Sequence, residues 1–317
     1  MSKIVDVLIL GGGPAGLAVA GGLARQLHTA IVFSSGSFRN GVASHMHNVP
    51  GWDHEDPAAF RAKAKADIQS RYVTMKFQDV GVASVRKLDG GRFEALDDAG
   101  ERYEGRKVVI ASGIRDLMPD LPGYSELWGK GIFHCLFCHG YEERGAPSAG
   151  VLASGFLGNA MFAAHVARMA NRLAGAVTVY TDGNDALGVA TRADLKSTTR
   201  FRVENRKIKS FAEDPDVPGE AGVLVTLEDG TVNREGFISH VPDFELNGSF
   251  AKDLGVELDP QGHINALPPF FNTSVPGVFA AGDCATPLKS VPTATMMGSF
   301  VAAALAHTLQ EEDDVEE

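Results

Sequence analysis

The sequence predicts an α/β fold with two βαβ units of the Rossmann-like type, and three observations carry that reading. A short β-rich run, Ile4 to Leu10, ends in the turn Gly11-Gly12-Gly13-Pro14-Ala15-Gly16 and continues as a helical pattern over Leu17 to Arg25. The same order recurs in altered form about 140 residues later, over Ala149 to Tyr180. The chain has 317 residues, which at roughly 100–200 residues per domain predicts two domains, with interleaving allowed.

Taken in order, the first unit is strand, glycine turn, helix, and then a second strand at Ala30-Ile31-Val32-Phe33. A G-x-G-x-x-G pattern alone is weak, but here it closes a strand and opens a helix, as a dinucleotide site requires. The first glycine makes the tight turn, the second lets backbone approach a pyrophosphate and the third lets helix pack on strand, while the helix N-terminus favours negative charge. The position that usually carries an acid for the adenosine ribose holds Ser34, followed by Ser35 and Gly36. A hydroxyl still bonds to ribose, as a weaker acceptor than a carboxylate. Further along, Lys107 to Gly113 reads as another strand and turn.

The second unit reads as a strand at Ala149 to Ser154, a turn at Gly155-Phe156-Leu157-Gly158, a helix from Asn159 to Leu173 and a strand at Ala176 to Tyr180. Near the end, Pro276 to Asp283 forms one more strand and turn, leading to an Ala/Met-rich helix at 293–309. The net charge of −11, from 40 acidic and 29 basic residues, argues against nucleic acid or an anionic membrane as partner, since both need a basic footprint. Six of the negative charges sit in Glu311 to Glu317, which reads as a solvated, frayed tail.

Cys135, Cys138 and Cys284 are the only cysteines, too few for a secreted disulfide scaffold. The chain opens almost directly on an apolar strand and holds no long uninterrupted apolar run, so a soluble cytoplasmic protein is expected. In that setting the C-x-x-C spacing of Cys135 and Cys138 reads as redox chemistry or a metal half-site. Histidine flanks the pair on both sides, as His134 and His139. A thiol of pKa about 8.5 is mostly protonated at neutral pH, and a histidine of pKa about 6.5 can take its proton and then stabilise the thiolate as imidazolium.

Together these residues resemble the low-molecular-weight thioredoxin reductase family of two-domain flavoproteins, over essentially the whole chain. The resemblance implies that Gly11, Gly12, Gly13, Pro14, Ala15 and Gly16 hold the pyrophosphate of FAD. It further implies that Ala111-Ser112-Gly113 lies near the flavin, that Asp283 reaches the ribityl chain, and that Ser290 and Val291 complete the site. The loop Asn48-Val49-Pro50-Gly51 matches the N-x-P-G segment beside the flavin, and Cys135 and Cys138 match the pair that exchanges electrons with it. By the same resemblance the FAD domain is discontinuous, 1–116 with 245–317, and an NAD(P)-binding-like domain, 117–244, is inserted between.

The nicotinamide half departs from a reductase. Ala153 replaces the first loop glycine, and Tyr180-Thr181-Asp182-Gly183-Asn184 lacks the arginine cluster that grips a 2′-phosphate. Asp182 would repel that phosphate and at best suits the 2′-hydroxyl of NADH; Arg168 and Arg172 read as solvated. Reductases place Asp after the second cysteine, whereas this chain has Cys138-His139-Gly140-Tyr141-Glu142. That segment, with Arg39-Asn40 and the stretch from His45 to His54, resembles the dithiol oxidase branch, whose members are the gliotoxin oxidases and their holomycin-type relatives.

The branch implies that a small-molecule dithiol is oxidised to its disulfide, electrons passing through the Cys135/Cys138 pair and FAD to O2 to give H2O2, with no nicotinamide consumed. His134 or His139 is the expected base, Cys135 the sulfur attacked and Cys138 the flavin-proximal one. A homodimer is expected by the same resemblance. The alternative is an NAD(P)H-dependent thioredoxin or disulfide reductase; a flavin-binding regulator without turnover sits badly with an intact C-x-x-C. Zinc bound by His134, Cys135, Cys138 and His139 is disfavoured, because adjacent residues rarely reach one tetrahedral ion. His45 and Asn48 read as flavin-loop or pocket residues, or as surface. Cys284 reads as a buried small hydrophobe, His165 and His307 as structural, and Met296 and Met297 as core or subunit contacts.

Overall fold

The computed structural model describes residues 4–217 and 222–316, and the chain divides into two compact units. The first comprises Met1–Ser44, Glu55–Arg115 and Glu245–Glu317; the second comprises His45–His54 and Asp116–Phe244. The α/β class is the one the sequence predicts. One boundary differs, since residues 45–54, expected with the first domain, group with 116–244. The anchors are local: Met46 and Val49 are buried, and the Asn48 side-chain amide donates to the Phe137 carbonyl at 2.8 Å.

In the first unit the main sheet runs Met75–Gln78, Ala30–Phe33, Val5–Leu10, Arg102–Ile110, Phe93–Asp97, Val82–Lys87, and Val278–Ala280 also pairs with Arg102–Ile110. The strand Val5–Leu10 is parallel to both neighbours and covered on both faces, which is why it is a nearly continuous apolar run. Val7 and Ile9 point into one core with Leu17, Leu23, Leu305 and Leu309, and Leu8 and Leu10 into another with Phe33 and Phe93. Each such side chain contributes about 1.5–3 kcal/mol on full burial.

The helix after the first glycine turn spans Pro14–Arg25, with proline in its first turn, where the missing N–H costs nothing. The last helix spans Val291–Glu316, beyond the 293–309 expected. It absorbs the acidic run and corrects the frayed-tail expectation; Glu317 lies outside the described residues. Arg106 pairs with Glu312 at 3.1 Å and Asp313 at 2.7 Å, and the buried Lys107 also pairs with Glu312. Arg106 also pairs with Asp6 at 3.4 Å, so the acidic run adds to the counter-charge around these strand cations.

The second unit holds a parallel sheet in the order Phe201–Glu204, Ala174–Tyr180, Ala146–Leu152, Ile238–Ser239, Ile132–Phe133. An antiparallel sheet of Ile208–Glu213, Val223–Leu227 and Val232–Glu235 accompanies it. The helix Ala160–Ala170 starts where the Asn159 side chain accepts the Met161 N–H at 2.9 Å. It buries Ala163, Ala164, Ala167 and Ala170 on one face. It stops short of Leu173 because the Asn171 side chain donates to the Ala174 carbonyl, closing a turn. Among the described residues no helix is long and apolar enough to cross a membrane.

Candidate active site

In the first unit three strands end at one level. Leu10 and Ala280 both register with Ile110, so the turns that follow them, at Gly11, Ala111 and Ala281, lie side by side at the carboxyl edge of the sheet. That crevice is where open α/β sheets bind ligands. Gly11 has φ +128, and a Cβ there would stand 2.2 Å from the Ala111 carbonyl oxygen. A Cβ on Gly16 would stand 1.9 Å from the Gly11 oxygen, whereas one on Gly13 would meet nothing within 4 Å. The first and third glycines are thus required by the protein's own packing. The second leaves open space at the helix N-terminus, the feature a pyrophosphate needs. Pro14 and Ala15 open the helix.

The neighbouring residues close this edge. Gly12 faces Ser34, whose Cβ and Oγ would lie 2.6 and 2.7 Å from an added Cβ. Ser35 joins Ser34 in lining a cavity of about 350 Å³. Arg39 pairs with Asp283 at 3.3 Å, and the Asn40 side-chain oxygen accepts from Arg61 at 2.8 Å. Ser112 Oγ donates to the Asn247 carbonyl at 2.8 Å and Asn247 returns a bond to the Ser112 carbonyl at 3.0 Å, next to Gly113 at φ +70. Ser290 accepts the Thr293 N–H at 3.2 Å, capping the helix that begins at Val291.

The second unit carries the redox turn. The strand Ile132–Phe133 leads into it, and Cys135 and Cys138 form a disulfide with a Cα–Cα separation of 5.1 Å. The N–H groups of Cys138 and His139 both donate to the Cys135 carbonyl at 3.1 Å, winding the segment into a tight turn. Both cysteines are half-buried, while Phe137 between them is 73% exposed. His139 packs against Phe133 with centroids 4.6 Å apart, and its Nε2 lies 3.9 Å from a Glu143 carboxylate oxygen. His134 stacks on Trp128 at 6.0 Å. With both sulfurs in a disulfide, the four residues lack the thiolates a zinc site would use. Asn48 reaches this turn through the Phe137 carbonyl, and His45 stacks on His54 at 4.2 Å.

A half-buried disulfide on a tight turn, in a chain that also holds a glycine-rich strand-to-helix turn, defines a recognisable combination. A family model described as pyridine nucleotide-disulphide oxidoreductase matches residues 5–298. The chain belongs to this family. It is 44% identical over 310 residues to "Thioredoxin reductase aclD" of Aspergillus oryzae, spanning 97% of each chain. It is 45% identical over 308 residues to "Thioredoxin reductase tcpT" of Claviceps purpurea, spanning 97% of this chain and 94% of that one. Among solved structures it is similar to HlmI, with a TM-score of 0.87 and 28% identity over 100% of this chain and 96% of the other. As a pyridine nucleotide-disulphide oxidoreductase family member it is an oxidoreductase on a thioredoxin reductase-like scaffold.

Against the family's two-nucleotide pattern, the second glycine loop is tied into its own unit. Ala153 is buried and its N–H donates to the Tyr180 carbonyl at 2.8 Å, the same bond that the Gly11 N–H makes to the Phe33 carbonyl at 3.0 Å in the first unit. The left-handed turn falls two residues later, at Gly155. His240 lies buried between the Tyr124 hydroxyl at 2.7 Å and Ser154 Oγ at 3.1 Å, and burial pushes its pKa down to about 4. Asp182, expected at best to suit a ribose hydroxyl, accepts the Ile208 N–H at 2.7 Å. Its carboxylate serves the fold.

The sequence reading missed other contributors. Arg61 and Lys65 line the cavity beside Ser34 from one face of the helix Pro57–Arg71, with the Arg61 guanidinium 4.0 Å from the Phe38 ring centre. Their four-residue spacing was the available signal. His263, from a different stretch, meets Lys289 at 2.7 Å and Asp259 at 3.3 Å; burial first, then Lys289, lowers its pKa. Cys284 is fully buried, its thiol donating to the Ile110 and Ala281 carbonyls, and burial pushes its pKa up to about 12, the inert state expected. Met297 is buried but Met296 is 41% exposed, and His165 and His307 are exposed.

Proposed function

We propose that this chain is an FAD-dependent dithiol oxidase of the dithiol oxidase branch, closing a disulfide in a small-molecule dithiol and delivering the electrons to O2. The observation that carries the reading is the half-buried Cys135–Cys138 disulfide on a turn bracketed by His134 and His139. The reading assigns residues 1–44, 55–115 and 245–317 to FAD and the remainder to the redox pair, in a cytoplasmic homodimer. Gly11 to Gly16, Ser34, Ser35, Arg39, Asn40, Ala111, Gly113, Asp283, Ser290 and Val291 would hold FAD. The open space at Gly13 and the register of three strand ends fit it. When bound, FAD supplies a two-electron acceptor that O2 reoxidises with formation of H2O2.

The protein's own groups handle sulfur and protons. A histidine of the turn takes the proton from one substrate thiol; the resulting thiolate attacks Cys135 Sγ, the Cys135–Cys138 bond breaks and Cys138 leaves as thiolate. The second substrate thiolate then attacks the substrate sulfur of the mixed disulfide. That closes the product disulfide and releases Cys135 as thiolate. The substrate has lost two electrons, now held by the cysteine pair, and two protons, accepted by the turn's histidines and solvent. Glu143 stands beside His139, with a carboxylate oxygen 3.9 Å from its Nε2.

The family's name keeps a second reading, an NAD(P)H-dependent disulfide reductase; Ala153 and the fold-committed Asp182 weigh against it. The test is a Cys138→Ser variant. It should retain bound FAD and lose at least about 100-fold in dithiol-dependent oxygen consumption, the loss of a covalent relay. Unchanged turnover would refute the relay.

A further inference from the structure

Among the described residues, His47, His54 and Glu142 bring three ligand atoms within 4.8 Å of one another. None of them is needed by the thiol–disulfide chemistry above. The group lies in the second unit, where a compact loop meets the redox turn. Backbone bonds build that loop without any ligand: the His54 N–H donates to the Met46 carbonyl at 2.8 Å and the Trp52 N–H to the Val49 carbonyl at 2.8 Å. His54 sits at φ +64, a left-handed conformation uncommon outside glycine that costs about 1 kcal/mol or more in a non-glycine residue. The imidazole so placed stacks on His45 with ring centres 4.2 Å apart and lies 5.3 Å from the His47 ring centre.

His47 faces carboxylates with both ring nitrogens: Nε2 is 3.6 Å from Glu142 and Nδ1 is 3.5 Å from Asp53. Asp53 is itself fixed, accepting the Asn48 N–H at 3.0 Å. A carboxylate on the far nitrogen of a histidine is the outer-shell arrangement that sets tautomer and ring orientation in metal sites. Two imidazoles and one carboxylate are the donor set of zinc sites that keep a fourth position open. Zn–N bonds of about 2.0–2.1 Å give a tetrahedral edge of roughly 3.3 Å. The ligand atoms therefore close by rotation of the exposed His54 and Glu142 side chains, with His47 already held.

We propose that His47, His54 and Glu142 bind a divalent cation of the zinc class, oriented through Asp53, with a fourth position open beside the Cys135–Cys138 turn. The site is separate from the cysteines and does not require their reduction. Glu142 lies four residues beyond Cys138 in the chain, so an ion there adds positive charge next to the redox turn.

The test uses untagged full-length protein with its disulfide intact, stripped with a chelator and titrated with Zn2+ by calorimetry at pH 7.5, with metal content measured after desalting. One zinc per chain is expected. His54→Ala and Glu142→Gln, both at exposed positions, should each weaken binding at least about tenfold, and Asp53→Asn about 10–100-fold. A Cys135→Ser/Cys138→Ser double variant should bind as the parent does. Flavin absorbance and circular dichroism report that each variant is folded. No zinc bound by the oxidised protein, affinity unchanged in both His54→Ala and Glu142→Gln, or loss of binding in the double cysteine variant would each overturn the proposal.

Discussion

His240 carries the clearest charge consequence among single residues. Its ring is buried between Tyr124 and Ser154, and its pKa falls from 6.5 to about 4. The folded state therefore keeps it neutral where the unfolded chain takes up a proton. Stability from this group is fully present above pH about 6.5 and is lost as pH falls toward about 4, to a total of about 3 kcal/mol at roughly 1.4 kcal/mol per unit. Denaturant unfolding between pH 7.5 and 4.5 should show that slope, and His240→Gln should flatten it; an equally steep slope in the variant would contradict the assignment. Residues of this kind were invisible in the sequence. His240 owes its state to Tyr124 and Ser154, 116 and 86 residues away, and Lys289 meets His263 across 26 residues, although Asp259 is a local partner of His263. Cys135 and Cys138 were legible because three-residue spacing is itself the chemistry.

Elements were legible where the cause is local. The turn at Gly11 to Gly16 is written in its glycines, and the structure supplies their reasons: the Gly11 backbone at φ +128 and the Gly16 contact with the Gly11 oxygen. Gly16→Val should purify without yellow colour and lose about 1–3 kcal/mol of stability through overpacking. A variant with full flavin content would contradict the cradle. One element was misjudged for the converse reason. The acidic run looked like a tail because its partners, Arg106 and Lys107, lie about 200 residues away in sequence, a separation that composition cannot bridge. The 45–54 segment, placed with the first domain by the resemblance to the reductase family, clusters with 116–244, where Asn48 bonds to the Phe137 carbonyl and Met46 and Val49 are buried.

For the whole molecule, the two repeated βαβ patterns foretold two units, and the structure gives each a different state. The first keeps an open glycine cradle at the edge of its parallel sheet, whereas the second has an alanine, Ala153, at the first loop position and commits Asp182 to the Ile208 N–H. An oxidase that draws electrons from a dithiol needs only the first cradle; a reductase needs both. That asymmetry is the centre of the functional proposal. Its most direct test is anaerobic: the oxidised, flavin-loaded protein is mixed in separate experiments with a small dithiol, with NADH and with NADPH, while the flavin absorbance is followed. The account predicts rapid bleaching by the dithiol and none by either nicotinamide. Bleaching by NADH or NADPH with no response to the dithiol would contradict it.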